Sequence, residues 1–166
     1  MNKSAHGQGD DEMMRLSQPP NKPEDLWTYV PYLLNRLTTR YNTDQNRDLS
    51  DYGIGSAVLR TLSVLHIHKT LTVNEIAAYA VIEQSNSSRT VDSMVRAGLV
   101  ERRIAKVDQR RRQVVLTEKG REQLKRLWPI MARNHARLID GIPAADLEIF
   151  VRTLHAMIHN VHEEPI

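Results

Sequence analysis

The chain has 166 residues, a formal net charge of +3 and no cysteine. Its length suits one domain of ordinary size, or a small head joined to an interface made by long helices, and excludes two large independent domains. The missing thiols exclude disulfides, cysteine-ligated zinc and thiol redox sensing. With no apolar run of membrane-spanning length and no apolar leader, the expectation is a soluble cytoplasmic protein with no membrane partner.

The small net charge hides a segregated one. Between Glu101 and Arg112, six basic residues (Arg102, Arg103, Lys106, Arg110, Arg111, Arg112) stand against Glu101 and Asp108. From Leu138 onward, Arg152 stands against Asp140, Asp146, Glu148, Glu163 and Glu164. A charge run is often only a solvated face, but a basic patch beside a polar helix is the electrostatic footprint of a polyanion binder.

In chain order, residues 1–23 combine Gly7, Gly9, the acidic run Asp10-Asp11-Glu12 and Pro19, Pro20 and Pro23. Such a segment buries too little apolar surface to order itself and reads as a flexible tail. From Glu24, Leu26, Val30, Leu33, Leu34, Leu37 and Tyr41 recur at helical spacing, with Pro31 either starting the helix or kinking it. Asn42 to Asp51 reads as a polar connection. A second helix, apolar on more than one side, follows through Ala57, Val58, Leu59, Leu62, Leu65 and Ile67.

Thr72-Val73-Asn74-Glu75 has the form of a capping box and opens a short third helix through Ile76, Ala77 and Ala80. Val81-Ile82 makes a turn, and a fourth helix from about Gln84 carries Val91, Met94 and Val95 on one face before Ala97-Gly98 stops it. Leu99 to Ile104 and Gln113 to Leu116 read as two short strands around the charged turn Asp108 to Arg112. A short helix, a turn, a polar helix and a basic hairpin make a winged helix-turn-helix pattern, and the fold class is mainly α with a small β-wing.

Thr117 caps a long helix carrying Leu124, Leu127, Trp128, Met131 and Leu138, which Pro129 bends. After Gly141-Ile142-Pro143, a final amphipathic helix aligns Leu147, Phe150, Val151, Leu154, Met157, Ile158 and Val161. The helical faces outside the head exceed what a head of this size can cover, which implies a second copy of the chain. The organisation is therefore a tail (1–23), a winged helix-turn-helix region (51–116), and a helical dimerisation region (24–50 and 117–166).

The head's chemistry suits double-stranded DNA. In this arrangement the fourth helix enters the major groove, where the Arg89 guanidinium can pair bidentately with guanine. Gln84, Ser85, Asn86 and Ser88 are short donors and acceptors for bases or phosphates, although the serines serve equally well as helix caps. Arg102, Arg103 and Lys106 are expected on phosphates.

The ordered segments Leu71-Thr72-Val73-Asn74-Glu75-Ile76-Ala77, Ile82-Glu83-Gln84-Ser85, Ser88-Arg89-Thr90-Val91-Asp92, Gly98-Leu99-Val100-Glu101-Arg102, Asp108-Gln109-Arg110 and Leu116-Thr117-Glu118-Lys119-Gly120 resemble the multiple-antibiotic-resistance-regulator (MarR) family of bacterial transcription factors. The resemblance covers roughly Leu26 to Val161. It implies an obligate two-fold homodimer built on the first and last two helices, a palindromic operator, and a small-molecule effector, often an aromatic carboxylate, that releases the DNA. It also implies that Arg110 enters the minor groove from the wing tip, with Arg111 and Arg112 replacing it or resting on phosphates. Asp108 is expected to brace the wing by pairing with a neighbouring arginine. By position, Tyr32, Arg36, Arg60, Ser63 and His66 are the candidates to line an effector cleft, with an arginine facing a carboxylate. Two positions depart from the family's pattern: Ser87 stands where an aliphatic residue is usual, and Leu59 where an aromatic is usual.

The alternative is an architectural or RNA-binding winged helix without a ligand. An enzyme is not expected, since no phosphate-cradling glycine loop, nucleophile elbow or paired carboxylates appear. His155, His159 and His162 have a spacing that can hold zinc, but surface helix histidines are common, and neither a metal nor a cofactor is expected.

Overall fold

The computed structural model describes residues 19–104 and 112–161. Two compact units meet in sequence between Thr43 and Asp44. In the first, Pro23–Trp27 forms a 3₁₀ turn, and the Asp25 carboxylate accepts the amides of Asn21 and Lys22 at 3.1 Å each. Pro23, the last residue of the expected tail, belongs to this turn; residues 1–18 lie outside the described residues. Helix α1, Val30–Ser50, has Pro31 in its first turn. There the missing amide has no helical acceptor to lose, so the proline starts the helix instead of kinking it. Trp27 meets Tyr32 edge-on at 6.4 Å between centroids, and the Arg36 guanidinium lies 4.9 Å from the Trp27 centroid.

The second unit begins within helix α1, at Asp44. Asn42–Asp51 is not a polar connection, because α1 continues through it to Ser50. Only Gln45 and Leu49 turn inward, one helical turn apart, so the apolar content is too thin to register as a stripe. No glycine or proline interrupts the helix before Gly53, whose φ of +64° ends the run. Here Asp44 and Asp48 stand between two arginines. Arg47 reaches them at 3.1 and 3.8 Å, and Arg137 at 3.7 and 3.9 Å.

Helix α2, Ser56–His68, buries Leu59, Leu62 and Leu65 at the centre of the core. Gly55 precedes it without a capping side chain, so Asn46 supplies the acceptor and takes the Ser56 amide at 2.8 Å. Strand β1, Thr70–Leu71, was not expected; two residues are too few to show alternation. It pairs antiparallel with β3, Arg112–Leu116, which also pairs with β2, Val100–Ile104, in the order β1-β3-β2. Helix α3, Val73–Tyr79, has the expected capping box: Glu75 accepts the Thr72 amide at 2.6 Å, and Thr72 Oγ1 accepts the Glu75 amide at 3.3 Å. Helix α4 is Gln84–Arg96, with Ser87, Val91 and Met94 buried.

Helix α5, Glu118–Ile139, turns Gly120, Leu124, Leu127, Ile130 and Asn134 inward. Trp128 and Leu138 do not share that stripe as expected, and are 58% and 41% exposed. Trp128 follows the wholly buried Leu127, and one residue is about 100° around a helix. Helix α6, Ala144–Val161, buries no residue within the single chain. Among the described residues, no helix is long and apolar enough to cross a membrane.

The start of α5 is locked onto the turn that follows α4. Thr117 Oγ1 donates to the Gly98 carbonyl at 2.6 Å and accepts the Gly120 amide at 3.1 Å, and the Thr117 amide donates to Leu99 O at 3.1 Å. Lys119 Nζ donates to Ala97 O at 2.7 Å. The two backbones come so close that a Cβ on Gly120 would lie 2.1 Å from Leu99 O. Gly120→Ala is expected to destabilise the fold by about 3 kcal/mol, at the upper end of overpacking costs, because a carbonyl rather than a flexible side chain must give way. Urea unfolding followed by circular dichroism measures it.

Candidate nucleic-acid interface

Helix α4 divides into a buried face and an exposed polar one. Val91 and Met94 anchor it in the core, and Ser87 is wholly buried with its hydroxyl donating to the Val73 carbonyl of α3 at 3.2 Å. That bond accounts for a hydroxyl where the family pattern has an aliphatic residue: the serine ties α4 to α3 instead of packing against it. Asn86, Ser88 and Arg89 are exposed, and the Arg89 guanidinium forms no hydrogen bond or ion pair with any other described residue. Gln84 and Ser85 are exposed too, but each already has a partner. Gln84 Nε2 donates to Asn74 Oδ1 at 3.1 Å, and Ser85 Oγ to Glu83 Oε1 at 2.8 Å.

The hairpin's cations are more committed than their sequence suggests. Arg102 Nη2 lies 2.6 Å from Asp92 Oδ1, which bridges β2 to α4. Arg103 pairs with Glu101 on its own strand, with Nε 2.7 Å from Oε1. Arg112 is exposed at the start of β3, opposite Ile104. Lys106, Asp108, Arg110 and Arg111 lie outside the described residues, so the wing-tip assignments rest on the sequence alone.

The five effector candidates are divided between the two units, Tyr32 and Arg36 in the first and Arg60, Ser63 and His66 in the second. Arg36 Nη1 donates to Tyr32 OH at 2.9 Å within the first unit. In the second unit, Arg60 Nη1 donates to the Val81 carbonyl at 3.1 Å, and Ser63 Oγ to Leu59 O at 3.0 Å. Ser63 and His66 line a cavity of about 540 Å³ with Leu124, Lys125, Trp128 and Pro129. Lys125 and Trp128 are not among the sequence candidates; the adjacency of Trp128 to the wholly buried Leu127 is the signal that it faces away from the core stripe. Leu59, at the position where an aromatic is usual, is wholly buried and lines none of this cavity. His155 and His159 are exposed on α6 and His162 lies outside the described residues; among those described, no three His, Cys, Asp or Glu residues form a metal-holding group.

A three-helix head with a three-stranded sheet and an exposed polar helix defines a winged helix-turn-helix protein. The sequence profile of the MarR family matches residues 52–111. A MarR-family transcriptional regulator from Silicibacter pomeroyi is 35% identical, with a TM-score of 0.78 over 87% of this chain and 97% of that one. The HTH-type transcriptional repressor IacR of Pseudomonas putida is 26% identical over 130 residues, 78% of each chain. Bordetella bronchiseptica BpsR, whose DNA binding is regulated by 6-hydroxynicotinic acid, shares the fold at 20% identity, with a TM-score of 0.70 over 77% of this chain and 97% of that one. The chain belongs to the MarR family of transcriptional regulators, a family of regulators rather than enzymes.

Ser87→Ala leaves the Val73 carbonyl without its side-chain donor and is expected to cost about 1 kcal/mol of stability, while the exposed face of α4 stays intact. Thermal unfolding together with a DNA gel shift separates the two effects.

Proposed function

We propose that the chain is a homodimeric, ligand-responsive repressor that reads a palindromic operator in the cytoplasm and is released from it by a small aromatic carboxylate. The observation that carries the DNA reading is Arg89: a guanidinium on the exposed face of a core-anchored helix, without a partner among the described residues. Arg89 reads bases, with Asn86 and Ser88 beside it for bases or phosphates. Gln84 and Ser85 exchange their present partners for DNA. Arg102, Arg103 and Arg112 rest on phosphates, Arg110 and Arg111 serve the wing tip, and Asp108 braces it.

Dimerisation is supported by α6, which exposes Phe150, Val151, Ile158 and Val161 and buries nothing in a single chain. Apolar faces of this kind are what a two-fold interface covers, here with residues 24–50 and 117–166 as the contributing segments. For the effector, Ser63, His66, Lys125 and Trp128 supply what an aromatic acid needs: a ring to stack on, a cation for the carboxylate and short polar groups for orientation. BpsR responds to an acid of that kind.

Selection of bound sites from random DNA is expected to return a two-fold symmetric sequence. Arg89→Ala should lose about 1–3 kcal/mol of operator affinity and relax preference at one base position in each half-site. Binding without sequence preference would instead favour the architectural or RNA-binding reading. Aromatic carboxylates titrated against Trp128 fluorescence are expected to quench it and raise the melting temperature, with Lys125→Ala abolishing both. No response to any of a panel of such acids would sink that ligand class.

A further inference from the structure

Helices α3 and α4 end in the same way but with different residues. At the end of α4, the Gly98 amide donates to Val95 O and the Leu99 amide to Met94 O, each at 2.9 Å, with Gly98 at φ +71°. That is the Schellman arrangement, whose left-handed position is normally glycine. At the end of α3, the Val81 amide donates to Ala78 O at 3.2 Å and the Ile82 amide to Ala77 O at 2.9 Å, with Val81 at φ +51°. The bonds are the same, but a β-branched residue occupies the position least suited to one. Val81 is 74% exposed, so burial of its side chain does little to offset the strain.

The hold comes from α2. Arg60 Nη1 donates to the Val81 carbonyl, while Arg60 Nε is buried and has no hydrogen-bond partner among the described residues. A buried guanidinium nitrogen without a protein partner is a cost to the core, so packing alone gives no reason for an arginine here. Its bond to the turn does. Gln84 begins α4 three residues after Val81, so the orientation of the Val81 peptide sets the direction in which the reading helix leaves. We infer that Arg60 is a positioning residue for DNA reading: it fastens the strained Val81 turn and thereby sets the angle between α3 and α4.

The operator arm of the test rests on the DNA-reading assignment of α4; the hydrogen-exchange arm does not. In Arg60→Met, the amides of Val81, Ile82 and Ser87 are expected to lose protection by about tenfold or more, while the Leu99 amide of the other Schellman turn keeps its own. Operator affinity should fall by about tenfold in the same variant. Adding Val81→Gly, which needs no hold, should restore both, and Arg60→Lys, which keeps a donor, should retain them. Unchanged protection at Ile82, an equal loss at Leu99, or no restoration by Val81→Gly overturns the inference. If Arg60→Met does not fold, the double variant decides: it folds and protects Ile82, or the inference fails. A wild-type chain that binds no operator would overturn the proposed function while the exchange result still judged the turn.

Discussion

The head depends on one close approach of two backbones, where the start of α5 lies against the turn after α4 with only a hydrogen on Gly120 between them. The base of the hairpin is fixed by that contact. Gly98 and Leu99 pass directly from the end of α4 into β2, and β3 returns into Thr117, so the cap of α5 also ties the hairpin shut at its base. Arg102 then links β2 sideways to Asp92 on α4. The described strands of the hairpin and α4 thus share a root and a lateral brace.

The features most legible in the sequence were those with local causes. Thr72 with Glu75, Gly98, and Thr117 ahead of Gly120 announce helix ends through bonds made within a few residues, and the structure has all of them. What was hidden needs distant partners. Leu49 alone reveals that α1 persists, and its burial depends on a core assembled from residues far along the chain. Strand β1 exists only because β3 offers it a ladder. At the site, the exposure of Arg89 was foreseeable from the apolar positions Val91 and Met94 behind it. The commitments of Arg102 to Asp92 and of Arg60 to Val81 were not, because each pairing joins residues ten or more positions apart.

The polar groups of α2 show how a core helix carries more than packing. Thr61 and Ser63 return their hydroxyls to carbonyls one turn back, which lets a polar residue lie inside without an outside partner. Arg60 sits between two wholly buried residues, Leu59 and Thr61, and reaches out to another element. One helix thus meets the core, a wall of the cavity and the helix-turn-helix corner.

Pro129 gives α5 a property that its length conceals. A proline at that position removes the amide that would bond the Lys125 carbonyl, so the helical ladder lacks one bond there. The segment before it is anchored through Gly120, Leu124 and Leu127; the segment after it through Ile130 and Asn134. The 22-residue helix thus runs unbroken past a missing bond at its middle because each side of Pro129 has its own buried anchors, so side-chain packing holds it together where the backbone ladder lapses.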